Sequence, residues 1–516
     1  MQRRGKRFRR IEKICTSSNS FIISNSLHQT SSYAWEVPTL RTLLPRRMRR
    51  STSRFIKFGF IFLFLGFLTL NQFGGSNENG SPDDSSVSSH PSSSNESSAL
   101  KGKVSSSLSG ERILRLPNNT NGNSIPSNNG SLYNKEIDAN NITEILRIIH
   151  ELNAGEKIHN MDLFGSNFSS NETVVIVVQV HDRVEYLKEL IQSFSKAQNI
   201  HSALLILSHD VWNDEINKLV RSIDFVRFMQ IFYPLSIQTH PNEFPGQSPN
   251  DCPMNVKKER ARELGCTNRE WPDIYGHYRD AKFTQIKHHW WWKANKVFHH
   301  LEVLEDFQGL VLFLEEDHYV SEDFLPVLKL MHSEKSRVCP YCDIISLGTY
   351  LKTYNFEKDG HQVESTQWMS VKHNMGMAFT KELWRKVMGC KSSFCNFDDY
   401  NWDWSLQHVS LSCLPEGIFV MLMKGPRVFH IGECGVHHKK SNCQAASVVK
   451  KVNDILSKAK KYLYPKKLKV IPGNRKSKNS KIRKGNGGWG DLRDQKLCLD
   501  LSSTSKNDKT VNSYFY

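Results

Sequence analysis

The chain has 516 residues, of which 38% are hydrophobic and 23% are charged, and its formal net charge is +17. This length allows one large domain with extensions, or two domains. The positive charge lies towards the two ends: residues 1–54 hold 13 Lys and Arg against two Glu, and a second Lys/Arg-rich stretch spans 458–484. That second stretch contains only Tyr462 and Tyr464 as aromatic residues. We therefore expect solvated or membrane-facing tails and no nucleic-acid groove.

The apolar run 55–73 follows five arginines, Arg46, Arg47, Arg49, Arg50 and Arg54. Positive charge before the first hydrophobic segment keeps the N-terminus in the cytoplasm and sends the following chain across the membrane. We therefore predict a single-pass type II signal-anchor. The run is short for a membrane span, so a cleaved signal peptide with small residues at 74–76 is the alternative. Met48 stands just before the basic cluster, which leaves the start methionine open between Met1 and Met48.

Residues 74–140 consist mainly of Ser, Asn, Gly and Pro. Such a segment buries too little apolar surface to fold, so we predict a flexible luminal stem. The predicted organisation is a cytoplasmic tail (1–54), an anchor (55–73), a stem (74–140), a catalytic domain (141–465) and a basic extension (466–516) tied by Cys498. Six glycosylation sequons follow the anchor: Asn95, Asn118, Asn129, Asn141, Asn167 and Asn171.

The cysteines agree with a luminal domain. Only Cys15 precedes the anchor, and the other ten cysteines follow it. An even number in an oxidising compartment predicts up to five disulfides. The pair Cys339 and Cys342 also has the spacing of half a zinc site, but no second pair at that spacing follows.

The segment 142–233 alternates between two patterns. Helical patterns at 142–152, 184–194 and 216–223 alternate with apolar or β-branched runs at 173–180, 203–207 and 226–233. This order predicts half of a doubly wound, mostly parallel α/β sheet, in which the polar strand ends meet at one edge.

The central element is the apolar run 310–314, which ends in Glu315, Glu316 and Asp317. We interpret the run as a strand buried on both faces, so the carboxylates lie at the sheet edge where ligands bind. Clustered carboxylates repel one another unless a cation joins them, and Mg²⁺ or Mn²⁺ prefers such oxygen ligands. A solvated strand end is the alternative. Ser321 is predicted to cap the next helix.

A predicted helix at 283–305 contains Lys287, His288 and His289 beside three tryptophans. These basic residues are candidates for phosphate binding while the tryptophans pack. The alternative is a helix docked by its aromatic residues, with the basic side chains facing water.

Asp403 lies between Trp402 and Trp404 near the start of another predicted helix, which opens at 398–404. A half-desolvated Asp between flat rings suits a general base beside a sugar. Carboxylates near a helix N-terminus also have a purely structural explanation. His430 ends a short predicted strand and is a candidate metal ligand.

Five motifs occur in the order of a known family: Gln179-Val-His-Asp-Arg183, Gln285-Ile-Lys-His-His-Trp-Trp-Trp292, Phe313-Leu-Glu-Glu-Asp317, Asp399-Tyr-Asn-Trp-Asp-Trp404 and His437-His-Lys-Lys440. From about 142 to 498 the chain resembles the N-acetylglucosaminyltransferase II family, the α-1,6-mannosyl-glycoprotein 2-β-N-acetylglucosaminyltransferases of Golgi N-glycan processing. The resemblance implies a GT-A glycosyltransferase fold, a Golgi type II membrane protein, a UDP-GlcNAc donor, a mannose-terminated N-glycan acceptor on glycoproteins, and Mn²⁺. The long N-terminal tail and the Lys-rich extension depart from the family.

The resemblance also implies residue roles. Asp317 and His430 match metal ligands, and Asp403 matches the catalytic base. The implied donor-binding residues are Gln179, Val180, His181, Asp182, Arg183, Asp210, Gln285, Ile286, Lys287, His288, His289, Glu315 and Glu316. Trp402 and Tyr354 are candidates for acceptor binding. The implied disulfides are Cys252–Cys266, Cys339–Cys342, Cys390–Cys413, Cys395–Cys498 and Cys434–Cys443.

The expected function is that of a metal-dependent inverting glycosyltransferase. Asp403 would accept the proton of the mannose 2-hydroxyl as that oxygen attacks C1 of GlcNAc, which gives a β-1,2 product on the α-1,6-arm mannose. One alternative is a non-catalytic, lectin-like glycan-binding protein on a membrane stem. Another is a membrane-tethered metal-dependent hydrolase, which is disfavoured because no paired His/Asp set indicates a second metal.

Overall fold

The computed structural model describes residues 138, 140–166, 168, 172–432, 445–473, 484–504 and 513–516. The predicted tail, anchor and nearly all of the stem lie outside the described residues. So do Cys434, Cys443, His437, His438 and every predicted glycosylation site except Asn141. Within the described ranges, no helix is both long enough and apolar enough to cross a membrane.

The strands are β1 (Val175–Val180), β2 (Leu204–His209), β3 (Arg227–Phe232), β4 (Val311–Glu315), β5 (His318–Val320), β6 (Ile344–Ser346), β7 (Gln362–Gln367), β8 (Met377–Phe379), β9 (Phe419–Met423), β10 (Val428–His430) and β11 (Lys469–Pro472). Nine of these form one sheet in the order β11-β7-β9-β6-β8-β4-β1-β2-β3, and β5 pairs with β10 in a second, two-stranded sheet. β4 pairs with β1 in parallel and with β8 in antiparallel orientation. The prediction of a large, mostly parallel α/β sheet with β4 in its interior is confirmed.

The helices are α1 (Ile142–Gly155), α2 (Met161–Phe164), α3 (Val184–Ser195), α4 (Asp214–Arg221), α5 (Lys258–Leu264), α6 (Ala281–Asn295), α7 (Phe324–Val338), α8 (Phe356–Asp359), α9 (Ser370–His373), α10 (Lys381–Gly389), α11 (Lys391–Cys395), α12 (Trp402–Ser412), α13 (Ala445–Ala459) and α14 (Leu492–Asp500). A π-helical turn, Lys296–His300, follows α6 directly. Short 3₁₀ turns lie at Ile200–Ser202, Glu302–Leu304 and Lys460–Tyr462.

Each face of the main sheet is buried by a separate hydrophobic cluster, because successive side chains of a strand point to opposite faces. In β1, Val175 and Val177 join the cluster that contains the tryptophans of α6. Ile176 and Val178 join the cluster on the other face. The continuous apolar sequence of β1 therefore reflects burial on both sides, as a strand in the interior of a parallel sheet requires.

Two local predictions were wrong. The predicted helix 283–305 is α-helical only to Asn295, after which the backbone forms the π-helical turn and then a 3₁₀ turn. Ser321 does not cap α7, which begins after Asp323. The Ser321 hydroxyl instead donates to Asp323 Oδ1 at 2.8 Å.

Four of the five implied disulfides are formed: Cys252–Cys266, Cys339–Cys342, Cys390–Cys413 and Cys395–Cys498. The fifth, Cys434–Cys443, lies outside the described residues. Because Cys339 and Cys342 are joined to each other, neither offers a thiolate to zinc, and the zinc alternative is excluded at this pair. The Cys395–Cys498 bridge ties α14 to α11.

Candidate active site

The carboxyl ends of three parallel strands lie side by side. Gln179 near the end of β1 is in register with Ser208 of β2 on one side and with Glu315 of β4 on the other. Lys293 of α6 lies beneath this edge and donates a hydrogen bond to Gln179 Oε1 at 2.5 Å. This edge of the sheet therefore carries the polar groups that the sequence pattern predicted would meet there.

Asp317 and His430 are brought together by the small sheet. The chain turns after β4 and returns as β5, in which His318 is in register with His430 at the end of β10. His430 Nε2 lies 3.2 Å from Asp317 Oδ2, and Arg183 Nη1 donates to the same oxygen at 2.8 Å. Burial opposes ionisation of Asp317, but the hydrogen bond from His430 and the charge of Arg183 outweigh it and lower the pKa of this carboxyl.

The surroundings of Asp317 fit a divalent cation. Its Oδ1 is buried and has no hydrogen-bond partner among the described residues. Glu315, Asp317 and His318 offer ligand atoms that all lie within 4.8 Å of one another. A Cβ at Gly432 would lie 2.3 Å from Asp317 Oδ2, so only glycine lets the chain pass this close. A buried, unsatisfied carboxylate oxygen beside a second carboxylate and an imidazole is a donor set suited to Mn²⁺ or Mg²⁺.

Of the two histidines, His430 is the better candidate ligand. His318 Nδ1 lies 3.1 Å from the Glu315 backbone N–H, so it accepts that hydrogen bond and its lone pair is used. In the neutral imidazole the proton is then on Nε2, which leaves no free lone pair for a metal. His430 contacts the Asp317 carboxylate through Nε2. A cation bound between these two groups can replace that direct contact.

Glu316 is a buried anchor for the loop after β1. Its carboxylate accepts hydrogen bonds from the His181 backbone N–H at 2.8 Å and from Arg183 Nε at 2.6 Å. Burial raises the pKa of Glu316, while the charge of Arg183 opposes that rise. Glu316 therefore fixes residues 181–183 and positions Arg183 so that its guanidinium reaches Asp317.

Asp210 is the centre of a second polar group. Its Oδ1 lies 2.6 Å from His181 Nδ1, and its Oδ2 accepts a hydrogen bond from Gln285 at 3.0 Å and lies 3.3 Å from His289 Nδ1. Burial lowers the pKa of His181, but the contact with Asp210 outweighs it and raises that pKa to about 9. Gln285 and His289 are four residues apart on α6 and therefore share one face of that helix.

Lys287 and His288 point away from Asp210. Lys287 Nζ donates to the backbone carbonyls of Phe397 and Asp399 at 3.1 Å each. His288 Nε2 lies 2.9 Å from Asp494 Oδ1 of α14. Burial lowers the pKa of Lys287 to about 7. These contacts give both side chains a structural role. Residues 285–289 were all predicted to bind the donor, but consecutive residues of a helix point to different faces, so only some of them face Asp210.

Asp403 is half-buried in the first turn of α12. Its Oδ1 accepts a hydrogen bond from the Trp404 backbone N–H at 2.9 Å, and its Oδ2 accepts one from Asn374 Nδ2 at 3.0 Å. Burial, with the nearby charges of Glu315 and Asp399, raises the pKa of Asp403 to about 7. A carboxyl whose pKa lies near neutrality is well matched to accept and release a proton.

Tyr350 lies within electrostatic reach of both Asp317 and Asp403. Burial raises the pKa of this tyrosine, and the charges of Glu315, Asp317 and Asp403 raise it further. The Tyr350 ring lies 6.1 Å from the His430 ring and is half-exposed. The charges of all three carboxylates therefore act on one exposed phenol.

The other carboxylates of this region are structural. Asp399 accepts backbone hydrogen bonds from Asn401 and Asn486, each at 2.8 Å. Asp398 accepts from the backbone N–H groups of Ile274 and Trp489. These bonds hold the chain around 484–489 against the start of α12. Because the carboxylate oxygens of Asp398 and Asp399 are used in this way, neither is positioned to act as a general base.

The two candidate acceptor residues are both packed. Trp402 is stacked flat on Trp290, with ring centroids 4.4 Å apart and 7% exposure. The half-buried Tyr354 lies 5.8 Å from the Phe429 ring. Sequence reasoning missed Asn374 and Tyr350, which lie in segments without a motif. It also missed Lys293, which directly follows the Gln285–Trp292 motif and contacts Gln179 only through the fold.

Comparison with known proteins gives a consistent result. The model of the family N-acetylglucosaminyltransferase II (MGAT2) matches residues 146–498. The α-1,6-mannosyl-glycoprotein 2-β-N-acetylglucosaminyltransferase of Rattus norvegicus is 47% identical over 351 residues, covering 68% of this chain and 78% of the rat protein. The Homo sapiens protein of the same name is 45% identical over 362 residues, covering 70% and 80%. The Arabidopsis thaliana protein of that name is 33% identical over 364 residues, covering 67% and 77%.

Solved structures are much less similar. S. aureus TarS 1-349 has 9% identity and a TM-score of 0.26, and the match covers 50% of this chain and 59% of TarS. A match at this level supports no conclusion about fold or function.

Proposed function

Because the chain belongs to the N-acetylglucosaminyltransferase II family, we propose that the cleft between Asp317 and Asp403 is where it transfers N-acetylglucosamine. The activity of the chain is β-1,2 transfer of this sugar to the α-1,6-arm mannose of N-glycans. The observation that supports the site assignment is the half-buried Asp403, whose pKa is raised to about 7 by burial and by the charge of Glu315, two residues before Asp317.

The proposed donor is UDP-GlcNAc, bound in a GT-A arrangement at the carboxyl edge of the sheet. Asp210, with His181, Gln285 and His289, forms a polar wall of fixed geometry at that edge. Arg183 carries the positive charge nearest to Asp317. We assign the nucleoside to the Asp210 side and the diphosphate to the Arg183 side, since a guanidinium pairs well with phosphate oxygens.

The proposed metal site consists of Asp317 and His430, with Glu315 close by. A bound Mn²⁺ would offset the negative charge that develops on the departing diphosphate. With the donor bound, the Arg183 guanidinium could pair with either of two anions, the Asp317 carboxylate or the donor phosphate. Its anchor on Glu316 keeps it within reach of both.

Asp403 is the proposed general base. Its ionised carboxylate would take the proton of the mannose 2-hydroxyl as that oxygen attacks the anomeric carbon from the face opposite the leaving group. A single displacement of this kind inverts the α-linked donor to a β-1,2 product. Asn374 and the Trp404 backbone N–H hold one carboxylate oxygen each and thereby fix the direction in which Asp403 faces.

We also propose that the chain is a single-pass type II protein of the Golgi membrane with a luminal catalytic domain. The support is the basic cluster before the apolar run 55–73 and the ten cysteines after it. The disulfides that the structure describes agree with an oxidising compartment.

A single incubation tests this function. The full chain in detergent is supplied with UDP-GlcNAc, Mn²⁺ and a mannose-terminated N-glycan, and the products are analysed by mass spectrometry and linkage analysis. We expect one β-1,2-linked GlcNAc on the α-1,6 arm, and its loss when EDTA replaces Mn²⁺. Glycan binding without transfer would indicate the lectin-like alternative, and release of free GlcNAc without transfer would indicate a hydrolase.

A further inference from the structure

The segment Tyr514–Tyr516, here called the C-terminal aromatic tail, packs against the end of α6 although it lies outside the residues that match the family model. Phe515 is fully buried and its ring lies parallel to two others, at 3.8 Å from His300 and 6.2 Å from Trp292. The Tyr514 carbonyl accepts a hydrogen bond from Trp292 Nε1 at 2.6 Å. The Tyr516 hydroxyl donates to the His300 carbonyl at 2.7 Å.

Trp292 connects this tail to the donor side of the site. Its ring centroid lies 5.6 Å from that of Tyr233, and the Tyr233 ring is stacked on His289 at 5.7 Å. His289 in turn lies 3.3 Å from Asp210 Oδ2. A continuous series of buried rings therefore runs from Phe515 to the carboxylate that we assign to the nucleoside.

Packing fixes the position of Tyr233 in this series. Its hydroxyl is buried and has no hydrogen-bond partner in the described part of the chain. Trp292 and His289 are the rings in contact with it. A void opened next to Trp292 would let these rings shift, because close-packed interiors relax into cavities only partly and at the expense of neighbouring contacts.

We propose that the C-terminal aromatic tail is a positioning element of the donor site. Phe515 fills the space against Trp292, which holds Tyr233 and His289 in place and so keeps Asp210 oriented for a nucleoside diphosphate. Phe515 itself touches no substrate. The proposal rests on the donor site described above, and a tail that merely fills the core would stabilise the fold without affecting donor affinity.

The test is the variant Phe515→Ala in the full chain, with the dissociation constant for UDP in the presence of Mn²⁺ measured by titration calorimetry. We expect this constant to rise about 3- to 10-fold, with kcat at saturating donor and the acceptor KM changed by less than about twofold. The variant Phe515→Leu refills most of the space and should restore most, but not all, of the UDP affinity. If Phe515→Ala does not fold, the comparison of Phe515→Leu with the wild type decides, with a smaller rise in the UDP constant expected.

Two further variants distinguish a tail that positions the donor site from a tail that only stabilises the core. Phe194→Ala also removes a fully buried ring, but on the opposite face of the sheet, where it lies near Phe324. It should lower the melting temperature similarly and leave the UDP constant unchanged. Asp210→Ala should abolish UDP binding. An unchanged UDP constant in Phe515→Ala, with binding lost in Asp210→Ala, overturns the role of the tail while the donor site stands. Unchanged binding in Asp210→Ala overturns the donor site and this proposal together.

Discussion

The side-chain amide of Asn374 donates a hydrogen bond to Asp403 Oδ2 at 3.0 Å. Asn374 immediately follows α9 and Asp403 belongs to α12, so the contact joins two elements that meet only in the folded domain. It stabilises the ionised form of a carboxyl whose burial favours the protonated form. The pKa of the proposed base is therefore set by a balance. Burial and the charges of Glu315 and Asp399 raise it, and the hydrogen bonds from the Trp404 backbone N–H and from Asn374 lower it.

Replacing Asn374 should move the pH profile. A general base is active when ionised, so kcat/KM should rise with pH through the pKa of Asp403, which is about 7. Asn374→Ala removes a hydrogen bond to the charged form and should shift this rise by about one to two pH units towards higher pH. The measurement is kcat/KM from pH 5 to 9 at saturating Mn²⁺.

The control for that shift is Asn213→Ala, which removes the side chain that caps α4. It should lower stability and leave the pH profile in place. An unchanged profile in Asn374→Ala would show that another group limits the reaction at low pH.

Asp403→Asn should separate turnover from stability. Loss of a positioned base lowers turnover by about 10² to 10⁴, while UDP binding is retained because Asp403 is not among the residues assigned to the donor. The pKa of Asp403 is higher in the folded protein, at about 7, than its ordinary value of 3.8. Ionisation of Asp403 therefore destabilises the fold, by an amount that grows from about pH 4 and is complete above about pH 7.

At pH 8 in EDTA, Asp403→Asn should consequently unfold at a higher temperature than the wild type, with a gain of about 1 to 2 kcal/mol after allowance for solvent screening. Near pH 4 the two proteins should be equally stable. A variant that retained near-normal turnover, or that was less stable at pH 8, would contradict the assignment. Asp399→Asn is the comparison, and it should lose stability because that carboxylate holds Asn401 and Asn486.

Asp317→Asn should remove the cation site while preserving the shape of the side chain. Loss of a residue that only hydrogen-bonds to a metal ligand typically weakens metal binding about 10- to 100-fold. Asp317 is proposed as a charged ligand itself, so its loss should weaken Mn²⁺ binding at least about 100-fold. Electron paramagnetic resonance of free Mn²⁺ during a titration measures this directly. Asp343→Asn is a matched control, because Asp343 pairs with the distant, exposed Lys386. Equal Mn²⁺ affinity in the wild type and Asp317→Asn would place the metal elsewhere.

The strands and the carboxylate edge could be predicted because each leaves a local signal. β1 is apolar along its whole buried length, and Glu315 and Asp317 interrupt an equally apolar run. The small sheet that brings His430 to Asp317 could not be predicted in the same way. The strand that ends at His430 was predicted, and it is β10. Its partner β5 has only three residues, which is too short for an alternating pattern to be recognised, and their pairing leaves no local signal.

The residues around Asp403 show a second limit of prediction from the sequence. The flanking Trp402 suggested a wall for a sugar ring, but it is stacked on Trp290 in the core. The group that contacts the Asp403 carboxylate is Asn374, 29 residues earlier in the chain. A sequence identifies residue types suited to a reaction, whereas the choice among identical side chains depends on which face of a helix the packing buries.

Two of the three lysines of α6, Lys287 and Lys293, should behave differently when replaced. Lys287→Met leaves the buried carbonyls of Phe397 and Asp399 without their donor and should lower the free energy of unfolding by about 1 to 3 kcal/mol, with UDP affinity unchanged. Lys293→Met releases Gln179 at the carboxyl end of β1 and should weaken UDP binding. Thermal unfolding and titration calorimetry on both variants measure the two effects. Weaker UDP binding in Lys287→Met alone would support the prediction that this residue contacts the donor. Its ammonium would then have to leave the two carbonyls when the nucleotide binds.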